Sequence, residues 1–207
     1  RSSTSTLFPY TTLFRSAFKG VIMIDLTLLT VDQRVQWALD NLDPNFVLTS
    51  SFGAQSAVCL HLLTKHFAEI PVIIIDTGYL FPETYRFIDE LTQRLKLNLK
   101  VYKSKLSPAW LESRYGELWN KDLEGITKFN EIMKVSPLQR AFKELEVKTW
   151  FSGLRNQQSE SRKNTEILEQ KGQITKFHPI VDWSDREVYL YLKKHKLPYH
   201  PLWEKGY

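Results

Sequence analysis

A chain of 207 residues, 43% hydrophobic and 25% charged, holds one domain's worth of core. Its formal charge of +5 is small and scattered, which suits an anionic ligand and gives no case for nucleic acid. One cysteine excludes an internal disulfide framework and a multi-cysteine metal or iron–sulfur site, and no apolar run approaches the ~20 residues of a membrane span. A cytoplasmic protein without a resident metal is the expectation.

Residues 1–22 read as a leader foreign to the domain, which is expected over residues 23–207 with a start near Met23. Thr6 to Ser16 resembles an in-frame translation of a short-read sequencing adapter, and it has neither the arginine content of a transit peptide nor the apolar core of a secretory signal. Thr30-Val31-Asp32-Gln33 is a capping-box pattern and predicts a helix through Trp37, Leu39 and Leu42. Phe46 to Ser50 reads as a strand, and Ala57 to Leu63 as a helix.

Between that strand and that helix lies Ser51-Phe52-Gly53-Ala54-Gln55-Ser56. A small-residue turn from strand to helix offers backbone N–H groups and the positive end of the helix dipole to an anion. The serine hydroxyls add donors, and Gly53 would let the backbone approach a ligand. The Walker A spacing and its lysine are absent. Small residues also fill ordinary β–α turns, so this loop alone leaves both readings open.

Ile70 to Asp76 is a β-branched run of the kind buried on both faces of a parallel sheet. With the preceding strand and helix it forms a right-handed βαβ unit. Pro82 to Leu95 reads as the next helix and Leu97 to Tyr102 as a strand, followed by helices near 108–119 and 137–145, the second capped by Ser136-Pro137. Val147 to Ser152 is a further strand. Ser184-Asp185-Arg186-Glu187 is a second capping box, opening a helix to His195. Three strands thus end in polar clusters: Ser50-Ser51-Phe52-Gly53, Asp76-Thr77-Gly78, and Gly153 to Arg162. In an open α/β sheet all three would meet at one edge, where ligands bind.

Those clusters, in this order and with Tyr199-His200-Pro201-Leu202-Trp203, resemble the phosphoadenylyl-sulfate (PAPS) reductase family from about Thr30 to Tyr207. The resemblance implies an α/β fold: a doubly wound, mostly parallel sheet with helices on both faces, as in adenine nucleotide alpha hydrolases. It implies substrate-binding roles for Ser50, Ser51, Phe52, Gly53, Gln55 and Ser56, and for Asp76, Thr77 and Gly78. Lys134, Gly153, Arg155, Gln158, Ser159 and Arg162 complete the set. Tyr79, Leu80 and Phe81 form part of an adenine wall or simply cover the sheet edge. His61, His66 and His195 read as structural or surface residues, and His178 and His200 each precede a proline; for His200, packing and substrate contact stay open.

The family's nucleophile belongs to a C-terminal Glu-Cys-Gly-Leu-like segment past the Tyr-His-Pro-Leu-Trp motif. The expectation is that this chain is truncated before it and inactive as given. Cys59, in the apolar run Val58 to Leu60, reads as a buried small side chain. Relatives acting on adenylyl sulfate often carry paired cysteines for a [4Fe–4S] cluster ahead of Lys-x-x-Pro-Leu. Thr127 to Lys134 has none, which favours the 3′-phosphorylated substrate. The resemblance further implies sulfite and adenosine 3′,5′-bisphosphate as products, thioredoxin or glutaredoxin as electron donor, and a homodimer. An ATP-dependent adenylyltransferase of the same superfamily, or a module that binds PAPS without reducing it, are the competing readings.

Overall fold

The structure, a computed structural model, describes residues 24–206; the expected leader and the start near Met23 lie outside the described residues. Helix α1 (Val31–Asn41) begins at the expected capping box, with the Gln33 N–H donating to Thr30 Oγ1 at 3.3 Å and the Thr30 N–H to Gln33 Oε1 at 2.9 Å. Strand β1 (Phe46–Thr49), helix α2 (Ala57–His66) and strand β2 (Pro71–Asp76) form the βαβ unit. Helix α3 (Pro82–Leu95) and strand β3 (Asn98–Lys103) extend it.

The sheet has six strands in the order β3-β2-β1-β4-β6-β5, where β4 is Thr149–Ser152, β5 is Leu168–Lys171 and β6 is Ile174–Phe177. All neighbours run parallel except β5, which pairs antiparallel with β6. The β5–β6 hairpin is absent from the sequence reading. Its strands are short and polar, and Gly172 at φ +62° turns one into the other.

Side chains alternate between two cores, as a strand's period of two requires. Leu48, Val72 and Ile74 face the larger core, built with residues such as Val35, Leu60, Phe87 and Val188 of α1, α2, α3 and α7 (Asp185–Lys194). Val47 and Ile73 face the opposite side, against Ala141 of helix α6 (Ser136–Glu144). Helices therefore cover both faces, as a parallel sheet needs.

Two helical expectations are corrected. The helix expected over 108–119 stops at Tyr115 (α4, Pro108–Tyr115), because Gly116 at φ +70° turns the chain before a short 3₁₀ segment. Nor does Ser136-Pro137 cap a new helix. Helix α5 (Leu123–Asn130) runs through a π-turn at Glu131–Val135 straight into α6, and the Ser136 N–H bonds to the Glu131 carbonyl. That wider turn absorbs the missing N–H of Pro137.

A long-range clamp fixes α1 to the loop after β6. Buried Arg34 donates through both terminal nitrogens to Asp182, each at 2.7 Å, and to the carbonyls of Leu26, Thr27 and Pro179. Every donor direction of this guanidinium finds an oxygen, so its burial is compensated.

Candidate functional site

Strand order reverses between β1 and β4: the chain builds leftward from β1 through β2 to β3, then returns to β4 on its right. At the carboxyl ends of these two strands lies a cleft of about 700 Å³. A doubly wound sheet opens at such a switch point because the connections leave on opposite faces.

One wall is the loop from β1 to α2, contributing Ser50, Ser51, Gly53, Gln55 and Ser56. The Phe52 ring instead is fully buried in the main core, and its backbone sits at φ +51°. The strained left-handed conformation belongs to this phenylalanine and not to Gly53; burying the aromatic ring offsets a backbone cost of about 1–2 kcal/mol. The Ser50 hydroxyl accepts the Phe52 N–H at 3.1 Å, which sets the bend. Gly53 has room within the protein for a Cβ, whose nearest neighbour would be Ser51 Oγ at 3.5 Å. Its contribution is an open backbone facing the cleft.

Ser56 stands at the N-cap position of α2, yet its hydroxyl makes no capping bond. The Oγ atom is buried and without a hydrogen-bond partner among the described residues. A buried hydroxyl left unpaired costs about 1–3 kcal/mol unless a ligand or water meets it. This one lies at a helix N-terminus in the cleft wall, where the helix dipole favours an anion.

The facing wall follows β4. Gly153, Arg155, Gln158 and Arg162 all line the cleft. Gly153 fits closely against α2, since a Cβ there would lie 3.0 Å from Cys59 Cβ and would make its neighbour give by a few tenths of an ångström. Arg155 is buried and already engaged: it donates to the Trp183 carbonyl at 3.2 Å, to Gln55 Oε1, and to Asp185 at 2.8 Å. That hydrogen bond and the guanidinium charge hold the Asp185 carboxyl below its ordinary range. Arg162 is exposed at the rim and donates to Gln158 Oε1 at 2.6 Å.

Several expected site residues stand elsewhere. The Asp76 carboxylate accepts the Gly78 N–H at 2.8 Å and the Tyr85 hydroxyl at 2.7 Å, and pairs with Lys103 at 3.0 Å. Burial works to raise its pKa, but these bonds outweigh it and the net shift is downward. Thr77 Oγ1 accepts the Tyr79 N–H at 3.3 Å. Asp76, Thr77 and Gly78 thus build the turn after β2, on the far side of β1 from the cleft, and do not line it. Tyr79 packs with Trp119 and Phe129, and the Lys134 ammonium lies 5.9 Å from the Phe129 ring centre, also outside the cleft walls. Ser159 bonds to Ser161 at 3.0 Å and is likewise not in the walls.

Other lining residues were not expected from sequence: Ser152, Ile180, Asp185 and Trp203. Asp185 was visible only as part of the α7 capping box, and nothing in sequence tells which strand end a helix start will face. His200 is a packing residue: 1% exposed, it accepts the Leu202 N–H at Nδ1 (3.2 Å), leaving Nε2–H to meet Thr84 Oγ1 at 3.0 Å. Cys59 is 5% exposed, and burial pushes its thiol up to about 12. Among the described residues no cluster of three His, Cys, Asp or Glu side chains could hold a metal ion, and no helix is long and apolar enough to cross a membrane.

The phosphoadenosine phosphosulfate reductase domain model matches residues 45–207. The phosphoadenosine 5′-phosphosulfate reductase of Proteus mirabilis is 59% identical over 178 residues, covering 86% of this chain and 73% of that protein. That of Xanthomonas euvesicatoria is 54% identical over 204 residues, 98% of this chain and 85% of its own length. Among solved structures, a phosphate complex of Candida auris PAPS reductase superposes with a TM-score of 0.75 at 27% identity, over 91% of this chain and 95% of that one. Fold, strand-end motifs and sequence identity agree, and the chain belongs to the phosphoadenosine phosphosulfate reductase family.

Proposed function

We propose that the β1/β4 cleft binds 3′-phosphoadenylyl sulfate, with its anionic groups against the Ser50–Ser56 loop and the α2 N-terminus. The family is one of oxidoreductases of sulfate assimilation, and its reaction releases sulfite and adenosine 3′,5′-bisphosphate. The observation that carries the placement is the buried, unpartnered Ser56 hydroxyl in the cleft wall, beside Ser50, Ser51 and the open backbone of Gly53. Arg162 at the rim and Arg155 behind Gln55 supply positive charge for phosphate oxygens.

In this reading a cysteine thiolate attacks the sulfonate sulfur of PAPS, and the bond from that sulfur to the phosphate oxygen breaks. Adenosine 3′,5′-bisphosphate leaves with the electron pair, and an S-sulfocysteine remains. A dithiol donor, thioredoxin or glutaredoxin, then attacks the cysteine sulfur and releases sulfite; its second thiol resolves the mixed disulfide. The residues of the cleft hold the leaving phosphate's charge as it develops. Cys59, the only cysteine of residues 1–207, does not fit the role of the attacking thiolate although it borders the cleft: it is 5% exposed, and burial pushes its thiol up to about 12. A cytoplasmic homodimer belongs to the same proposal.

Titration calorimetry with adenosine 3′,5′-bisphosphate and with AMP tests the substrate. One added charge-assisted contact contributes ~1.5–3 kcal/mol, so the bisphosphate should bind roughly tenfold tighter or better. Equal affinities would overturn the assignment to the 3′-phosphorylated substrate.

A further inference from the structure

Behind the cleft wall, Ser152 at the end of β4 leads to two more polar residues in a row. Its hydroxyl oxygen lies 3.2 Å from His178 Nδ1, and it also accepts the Leu154 N–H at 3.3 Å. On the other side of the ring, His178 Nε2 lies 3.5 Å from the Glu169 carboxylate on β5. The imidazole is 2% exposed, whereas Glu169 reaches solvent at the sheet edge. At 3.5 Å the Nε2–Glu169 contact is too long for a good hydrogen bond, and Nε2 has no other partner among the described residues.

The state of the ring decides where the Ser152 proton points. In the neutral imidazole the Glu169 charge keeps the hydrogen on Nε2, so Nδ1 must accept, and the Ser152 O–H turns back toward it. In the charged imidazolium Nδ1–H donates instead. The Ser152 hydroxyl, already accepting from Leu154, is then free to aim its own proton into the cleft. Charged and polar groups act on this ring from three strands: Glu169 on β5 and the Ser152 backbone on β4 favour the charged form, while Lys176 on β6 opposes it. Burial is the strongest influence and keeps the ring neutral when the cleft holds no anion.

We propose that His178 is a positioning residue which, by taking up a proton when an anion enters the cleft, turns Ser152 into a donor to that anion. The proton comes from solvent and rests on Nδ1; no bond is broken other than the Ser152-to-Nδ1 hydrogen bond. The inference rests on the reading that the nucleotide's anionic end occupies this cleft.

The sign follows from linkage. Binding raises the ring's proton affinity, so the extra affinity is fully present below the pKa of the empty protein and is lost as pH rises through the pKa of the complex. The phosphates of the ligand titrate too, and the test must subtract them. Calorimetry with adenosine 3′,5′-bisphosphate, from pH 6 to 8 in buffers of contrasting ionisation enthalpy, is compared between the parent chain, His178→Asn and Glu169→Gln. The side-chain amide introduced by His178→Asn can keep the bond to Ser152 but cannot titrate. The parent should take up more protons than H178N, and its affinity relative to that variant should fall toward about tenfold per pH unit across the window. Glu169→Gln removes nothing from the cleft wall and should shift that window to lower pH. If H178N does not fold, the Glu169→Gln shift carries the test alone. Identical proton uptake in the parent and H178N, or superimposable pH curves for Glu169→Gln, would overturn the inference while leaving the binding site intact. Absence of binding at every pH would instead bring down the site assignment, and this inference with it.

Discussion

The Arg155 guanidinium, 5% exposed, meets an Asp185 carboxylate that is 75% exposed, at 2.8 Å. The two partners therefore have unequal stakes. Asp185 remains hydrated if the pair is broken, so the ion pair itself contributes little to stability. Arg155→Ala, however, leaves the Gln55 side-chain oxygen and the Trp183 carbonyl without a donor, at a cost of about 1–3 kcal/mol. Both the unfolding temperature and the affinity for adenosine 3′,5′-bisphosphate should fall. Asp185→Asn should do the reverse for binding: it keeps the α7 start, removes a negative charge from the cleft wall and leaves the guanidinium's charge to the ligand. Several-fold tighter binding by calorimetry is the expected result. Unchanged affinity in Asp185→Asn would assign Arg155 a structural role only.

The contact between Gly153 and Cys59 sets how closely β4 approaches α2. Gly153→Ala places a Cβ 3.0 Å from Cys59 Cβ and 3.6 Å from its sulfur. The first distance is tighter than ordinary carbon–carbon packing, so the β4 end or α2 must give by a few tenths of an ångström, at ~1–3 kcal/mol. Cys59→Ala should not rescue the variant, because the clashing Cβ remains; Cys59→Gly should recover part of the loss. Urea midpoints of the three variants distinguish these outcomes. Rescue by Cys59→Ala would show that the sulfur, and not the Cβ, limits the approach.

The parts of this fold legible in sequence are those specified within a dozen residues. Both capping boxes, at Thr30 and Ser184, form as their spacing dictates, and the βαβ unit follows from two β-branched runs around one helix. The serine loop was legible for the same reason. What was not legible depends on partners far along the chain. Arg34 and Asp182 are 148 residues apart, and no local pattern marks them as a pair. That Tyr85 and Lys103 bond to the Asp76 carboxylate, and that Asp76 stands across β1 from the cleft, depends on the strand order and on residues 9 and 27 positions away, and no local pattern shows it. The β5–β6 hairpin did leave a signal, a glycine between two short alternating runs, weakened by the polarity of Glu169, Gln170 and Lys171.

Cys59 gives a direct chemical prediction. With its pKa pushed up to about 12 by burial, the thiolate fraction at neutral pH is on the order of one in 10⁵. Iodoacetamide and Ellman's reagent should leave the native chain unmodified over a time in which the urea-unfolded chain reacts fully. Residues 1–207 should release no sulfite from PAPS in the presence of thioredoxin and a reductant, and Cys59→Ser should bind the bisphosphate as the parent does. Sulfite release that disappears in Cys59→Ser would make Cys59 the nucleophile.

The histidines fix the acid side of the stability profile. Burial lowers the pKa of His61, His178, His195 and His200 below the ordinary value of 6.5. The folded state therefore binds fewer protons than the unfolded chain as pH falls below about 6.5. Their contribution is fully present above that pH and is lost progressively as pH falls toward the depressed folded values. His200 shows the structural reason: protonating Nδ1 would turn the acceptor of the Leu202 N–H into a second donor. A second loss belongs to Asp32, Asp76, Asp182 and Asp185, whose folded pKa values lie below the ordinary 3.8; it begins near that value and deepens as pH falls further. Unfolding free energies from urea titrations should thus be flat from about pH 7 to 8, decline between pH 6.5 and 5, and drop again below pH 4. His200→Asn can keep an acceptor for Leu202 without titrating, and should flatten part of the first decline. An undiminished decline in that variant would mean the first loss belongs to the other three histidines.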